Sequence, residues 1–220
     1  MPQFGLVVFD LDGTLVDSST DLADAINALL ESLGRARLQD DAIVRMVGDG
    51  APMLVRRALE AAGLDPATPG ALERYLEMYD ERLLDHTRPY PGMIAALEAI
   101  GAAGIPMAVL TNKPSAGTNR VLDGLGLTRY FAEIVGGDSS FPRKPDPAGL
   151  LHLAAACGAT TPTALMVGDS RVDWETARRA GVRICLARYG FGYRFDAAEL
   201  TGDEMVIDHP SELAAAVAAR

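Results

Sequence analysis

Short apolar runs recur along this chain, several of them ending in polar or acidic residues, and helical stretches separate them. The first, Leu6-Val7-Val8-Phe9, passes directly into Asp10-Leu11-Asp12-Gly13. Similar runs lie at Ile105 to Thr111, Glu133 to Asp138, Ala164 to Asp169 and Val182 to Ala187. Continuous apolar runs of this length, bounded by turn residues, read as buried strands. Between them, Met93 to Ala102, Ser115 to Gly124, Ala148 to Cys157 and Val172 to Ala180 carry helical patterns, with Gly126, Gly158 and Gly181 as stop signals. Strand and helix in alternation predict an α/β fold with a parallel, doubly wound sheet. Such sheets bind ligands outside the carboxyl ends of their strands, where Asp10, Thr111 and Asp169 would converge.

The stretch from Asp17 to Arg88 breaks the alternation. Leu22, Ile26, Leu29, Leu30 and Leu33 fall on one helical face, and later windows behave similarly. An all-helical insert that leaves and re-enters near the first strand's tip would cover the site and exclude water. The expected division is an α/β core of residues 1–16 and 88–220 with a helical cap of residues 17–87. Arg88-Pro89-Tyr90-Pro91-Gly92 supplies the hinge back to the core.

The formal net charge of −10 argues against a nucleic-acid partner, because phosphate-backbone binding rests on clustered cations. No apolar stretch approaches the ~18 residues of a membrane span, and the first basic side chain is Arg35, which together predict a cytoplasmic protein. Cys157 and Cys185 fit no metal or redox pattern, and His86, His152 and His209 share no ligand spacing. Oxygen ligands remain. Of the 20 Lys plus Arg, only Lys113 and Lys144 are lysines, so a chain that otherwise chooses Arg places compact ammonium groups at two points.

Asp10 and Asp12, two positions apart as the chain leaves a strand, can both face one site. Neighbouring carboxylates repel unless a positive charge separates them, and a magnesium ion would do so. Asp10 is then a candidate nucleophile toward phosphorus, and Asp12 a candidate acid for the leaving alcohol and base for water. Thr111-Asn112-Lys113 offers a hydroxyl, an amide and an ammonium at another strand tip, donors that suit phosphoryl oxygens. Prolines in Arg143-Lys144-Pro145-Asp146-Pro147 restrict where Lys144 points, and its charge suits a transferring phosphoryl group. Asp169 ends a strand and is placed to ligate a metal. Asp173, four residues on near a helix start, would reach the metal through water or hold Lys144.

These four segments, in this order along the whole chain, resemble the four motifs of the haloacid dehalogenase superfamily. The resemblance implies a Rossmann-like core with an inserted helical cap, Asp10 as nucleophile and Asp12 as general acid and base. It further implies Mg2+ held by Asp10, the main-chain carbonyl of Asp12 and Asp169, and a substrate phosphate held by Thr111, Asn112 and Lys144. The family's dehalogenases lack an acid at the position of Asp12, so the likeness is to its phosphatases. Val47-Gly48-Asp49-Gly50-Ala51-Pro52, Thr111-Asn112-Lys113-Pro114 and Tyr189-Gly190-Phe191-Gly192 are similar to segments of phosphoglycolate phosphatases. That likeness implies hydrolysis of a small phosphorylated metabolite, 2-phosphoglycolate, with Gly48, Asp49 and Gly50 reading the leaving group. The alternatives are a phosphatase of another small phosphometabolite, a phosphomutase on the same scaffold, and a receiver-like phospho-switch, against which the cap insert and the Asp10-Asp12 pair argue.

Overall fold

The computed structural model describes residues 3–218. The chain begins with β1 (Leu6–Phe9) and β2 (Val16–Asp17), then α1 (Ser19–Ser32), α2 (Asp40–Val44), α3 (Ala51–Ala61) and α4 (Ala71–Arg82). It continues with β3 (Arg88–Pro89), α5 (Met93–Ala102), β4 (Met107–Leu110), α6 (Ser115–Gly124), β5 (Glu133–Val135) and α7 (Ala148–Ala156). It ends with β6 (Ala164–Gly168), α8 (Arg171–Ala180), β7 (Arg183–Ala187), β8 (Met205–Ile207) and α9 (Ser211–Ala218).

Six strands form one sheet in the order β5-β4-β1-β6-β7-β8. Every pairing in it is parallel, with Val8 of β1 opposite Ala108 of β4 and Met166 of β6. Side chains alternate across a strand, so one buried strand feeds two cores. Val7 and Phe9 pack into the core shared with Leu97 of α5 and Leu213 of α9, and Leu6 and Val8 into the core shared with Leu153 of α7 and Ala177 of α8. This is the predicted doubly wound sheet. The chain leaves β1 toward β4 and β5, then crosses back to β6 on the other side of β1, so the switch point lies at the tips of β1 and β6.

The helical segment joins the sheet through a two-stranded antiparallel ribbon that pairs Val16 with Pro89 and Asp17 with Arg88. Within it, α1 packs on α2, α3 and α4. Buried Asp21 of α1 ties its ends together, accepting hydrogen bonds from the His86 and Thr87 main-chain N–H groups and the Thr87 hydroxyl. Two details differ from expectation. The strand predicted over Glu133 to Asp138 stops at Val135, because Gly137 turns to donate to the Lys113 carbonyl and packs so close to Asn112 that a side chain there would overlap it. The short β8 and the terminal α9, outside the predicted alternation, extend the sheet and cover one face.

Candidate active site

The chain leaves β1 at Asp10, whose N–H donates to the Val167 carbonyl of β6 (2.9 Å), so the turn starts with its main chain anchored to the neighbouring strand. Asp10 Oδ1 accepts the Leu11 N–H at 2.7 Å and forms an ion pair with Lys144 Nζ at 2.8 Å, leaving Oδ2 as the oxygen with freedom to react. Gly13 completes the turn at φ 89°, where a side chain would overlap the Asp169 carboxylate. That close approach lets Thr14 Oγ1 donate to Asp169 Oδ1 at 3.1 Å, while Gly192 N–H donates to Oδ2 at 2.7 Å.

Lys144 Nζ lies between two carboxylates, 2.8 Å from Asp10 and 2.7 Å from Asp173, with its side chain 2% exposed. Asp173 is fully buried and has two roles. Its Oδ1 holds Lys144, and its Oδ2 accepts from the Ser170 N–H and hydroxyl, closing a capping box at the start of α8. The second lysine is equally buried. Lys113 Nζ donates to Asp12 Oδ1 and Oδ2 at 3.1 and 3.2 Å and to the Tyr79 hydroxyl of α4. Asp12 also accepts from the Ser18 hydroxyl at 2.7 Å.

The charges are unevenly matched. Asp10 is pushed up to about 7, first by burial and then by Asp173, with Lys144 opposing both. Burial works against the Lys144 ammonium, but Asp10 and Asp173 outweigh it and hold its pKa above the ordinary value. The two groups describe one ion pair from opposite sides, and at 2.8 Å the paired, ionised form is the arrangement the geometry favours. Asp169 is raised well above the carboxylate range by burial and by Asp173 and Asp10, and the partners named above for it are neutral donors. Asp10, Asp169 and Asp173 bring carboxylate oxygens within 4.8 Å of one another. A buried acid without a cationic partner, in a set of hard oxygen ligands, fits a divalent cation such as Mg2+.

Thr111, at the tip of β4, accepts the Lys113 N–H at Oγ1 (3.2 Å), which leaves its own O–H to donate into the cleft. Asn112 departs from expectation. Its Nδ2 donates to the Gly48 carbonyl at 3.1 Å and the Lys144 carbonyl at 3.0 Å, and its buried Oδ1 has no partner. The two carbonyl neighbours settle which amide atom is nitrogen. Both amide hydrogens are therefore engaged, and the side chain has no donor left for a phosphate in this arrangement. Instead Asn112 bridges the helical segment to the Lys144 loop.

Gly48 and Gly50, both at positive φ, turn the segment before α3 onto Asn112 and line the pocket beside it. Asp49 does not join them. Its carboxylate pairs with Arg57 at 2.6 Å, and Asp49 is not among the residues that line the pocket. The pocket, about 60 Å3, lies between Asp10, Asp12, Thr111 and Lys113 on the sheet side and Leu22, Leu54, Tyr75 and Tyr79 on the helical side. Thr14, Tyr79 and Gly192 were not legible as site residues, since each acts through a partner distant in sequence, and Ser18, six residues from Asp12, read only as a helix cap; Gly192 had a signal only in the glycine spacing after β7.

The family described as haloacid dehalogenase-like hydrolase matches residues 7–187. The phosphoglycolate phosphatase of Rhodospirillum rubrum is 45% identical over 192 residues, covering 84% of this chain and 80% of that protein. Phosphoglycolate phosphatase 1 of Pseudomonas aeruginosa is 41% identical, covering 94% of this chain and 78% of its own. Among solved structures, a predicted phosphoglycolate phosphatase from Haemophilus somnus 129PT superposes with a TM-score of 0.88 at 32% identity, covering 97% of both chains. The match spans β1 through β7 and includes Asp10, Thr111, Lys144 and Asp169, so this chain belongs to the haloacid dehalogenase-like hydrolases.

Proposed function

We propose that the protein is a magnesium-dependent phosphatase that hydrolyses 2-phosphoglycolate to glycolate and phosphate through a phosphoaspartate on Asp10. The observation that carries this reading is the Asp10 carboxylate, fixed through Oδ1 by Leu11 and Lys144 at the wall of a small pocket, with Asp12 two residues on. The relatives named above support the substrate. The pocket of about 60 Å3 beside Asp10 has room for a small leaving group.

In this reading residues 17–87 cap the core formed by 1–16 and 88–220 and close off bulk water once the substrate is bound. Thr111 donates its hydroxyl to the phosphoryl group, and Lys144 offsets the charge that builds between it and Asp10. Asp10 Oδ2 attacks phosphorus in line, the ester P–O bond breaks, and Asp12 gives a proton to the departing glycolate oxygen. Water then attacks phosphorus, Asp12 takes its proton, and Asp10 is released with inorganic phosphate. Asp10, Asp169 and the Asp12 main-chain carbonyl would hold Mg2+, which reduces the repulsion between the carboxylate and the phosphate dianion. Asp173 holds Lys144 in place and Asn112 anchors the cap turn at Gly48.

Phosphate release from 2-phosphoglycolate, with magnesium or excess chelator and beside Asp10→Asn, tests the proposal. Turnover should require both magnesium and Asp10, and magnesium should raise the melting temperature of wild type but not of Asp169→Asn. Phosphate release that survives in Asp10→Asn would refute the mechanism.

A further inference from the structure

Beneath the cap, the groups on the wall of the pocket differ sharply in what they offer a leaving group. Leu22, Val47 and Leu54 offer only apolar contact, and both amide hydrogens of Asn112 are engaged by the Gly48 and Lys144 carbonyls. Lys113 is the one cation among the described residues that line it. Nearby cations are committed elsewhere: Lys144 to Asp10 and Asp173, Arg57 to Asp49 and the Met46 carbonyl, Arg143 to the Gly137 carbonyl.

Lys113 is held in place. Its carbonyl accepts from Gly137 N–H at 2.8 Å, its stem runs along Gly117 of α6, and its side chain is 3% exposed. Asp12 engages the ammonium on one side. On the other it meets only the Tyr79 hydroxyl, which burial keeps neutral, and the Tyr79 ring face, 4.4 Å from Nζ to the centroid. A carboxylate brings a full opposite charge to the ammonium, where the hydroxyl brings only a dipole, and Coulomb attraction between whole charges is the stronger of the two in a buried site. A carboxylate arriving in the pocket would therefore displace the Tyr79 hydroxyl from Lys113, whereas a neutral alkyl group would not.

We infer that Lys113 recognises the leaving group, and that the group it takes is a carboxylate carried next to the ester oxygen. The inference rests on the phosphatase reading and locates its specificity in Lys113 and Tyr79 instead of the Gly48–Gly50 turn. Stacked Tyr75 and Tyr79, with rings 5.7 Å apart and 9° from parallel, hold the hydroxyl in position until it is displaced.

Two matched ester pairs test it: 2-phosphoglycolate against ethyl phosphate, and 2-phospholactate against isopropyl phosphate, each differing by carboxylate for methyl. Because Lys113 also touches Asp12, the readout is the ratio of kcat/KM within a pair, which a general loss of catalysis leaves unmoved. Wild type should favour the acid in each pair it hydrolyses, and Lys113→Met should collapse that ratio by about 10²-fold. Lys113→Arg should restore part of it. Tyr79→Phe, which keeps the ring stack and the Asp12 pair, should change the ratio by about 3-fold to 10-fold and serves if Lys113→Met does not fold. Equal losses on both members of a pair, or a wild-type ratio near one, would overturn the inference. Turnover of 2-phospholactate without 2-phosphoglycolate would instead remove the substrate proposed above, and the ratio would still decide the role of Lys113.

Discussion

Lys144 satisfies two buried acids at once, and its removal isolates both of them. Breaking a buried ion pair from one side costs ~3–5 kcal/mol, because the remaining charge stays out of water. Lys144→Met should lose stability of that order in urea unfolding at pH 8, together with nearly all phosphatase activity. The pH dependence has a definite sign. Asp10 is already raised to about 7, by burial before any neighbour, and without the ammonium it takes up a proton still more readily in the folded state than in the unfolded one. Stability is then kept at low pH and lost as pH rises, so the deficit of Lys144→Met should widen from pH 5 to pH 8. A deficit that narrows over that range would mean the pair is not ionised in the native protein.

At the level of elements, α8 is held at both ends. Ser170 and Asp173 cap its start, Gly181 in the left-handed region ends it, and Trp174 on its outer side reaches Glu204 before β8 with an indole N–H bond of 2.8 Å. Burial works to raise the Glu204 pKa, but Trp174, Thr201 and the main chain outweigh it and bring it from 4.5 to about 2. A carboxylate depressed on folding contributes stability above its unfolded pKa, and that contribution is lost as pH falls from 4.5 toward 2. Glu204→Gln should therefore be less stable by roughly 1 kcal/mol at pH 7, the group being only partly buried. The difference should shrink below pH 4.5. Trp174 is the chain's one tryptophan, so its emission during unfolding at several pH values reads this directly. A constant difference across pH would show that Glu204 contributes shape and not charge.

Over the whole molecule, what the sequence made legible was whatever one segment carries alone. Apolar runs ending in acid located Asp10 and Asp169, and a helical pattern without a strand-like run marked the helices between β2 and β3. Lys144 was legible because prolines and the rarity of lysine single it out. What depends on a partner far along the chain was not. Asp49 looked available until folding set it against Arg57, and Asn112 looked like a phosphate donor until the Gly48 and Lys144 carbonyls came within reach of its amide. β8, three residues long, has no pattern to detect and exists because β7 offers it an edge.

Covalent chemistry at Asp10 is tested most directly by acid quenching of the enzyme during turnover of 2-phosphoglycolate, followed by borohydride reduction and peptide mass analysis. An aspartyl phosphate is reduced to homoserine whereas a free carboxylate is not, so the predicted result is homoserine at position 10 alone, dependent on substrate and magnesium. Homoserine at Asp12 or Asp169, or an unmodified chain quenched from an enzyme in active turnover, would contradict it.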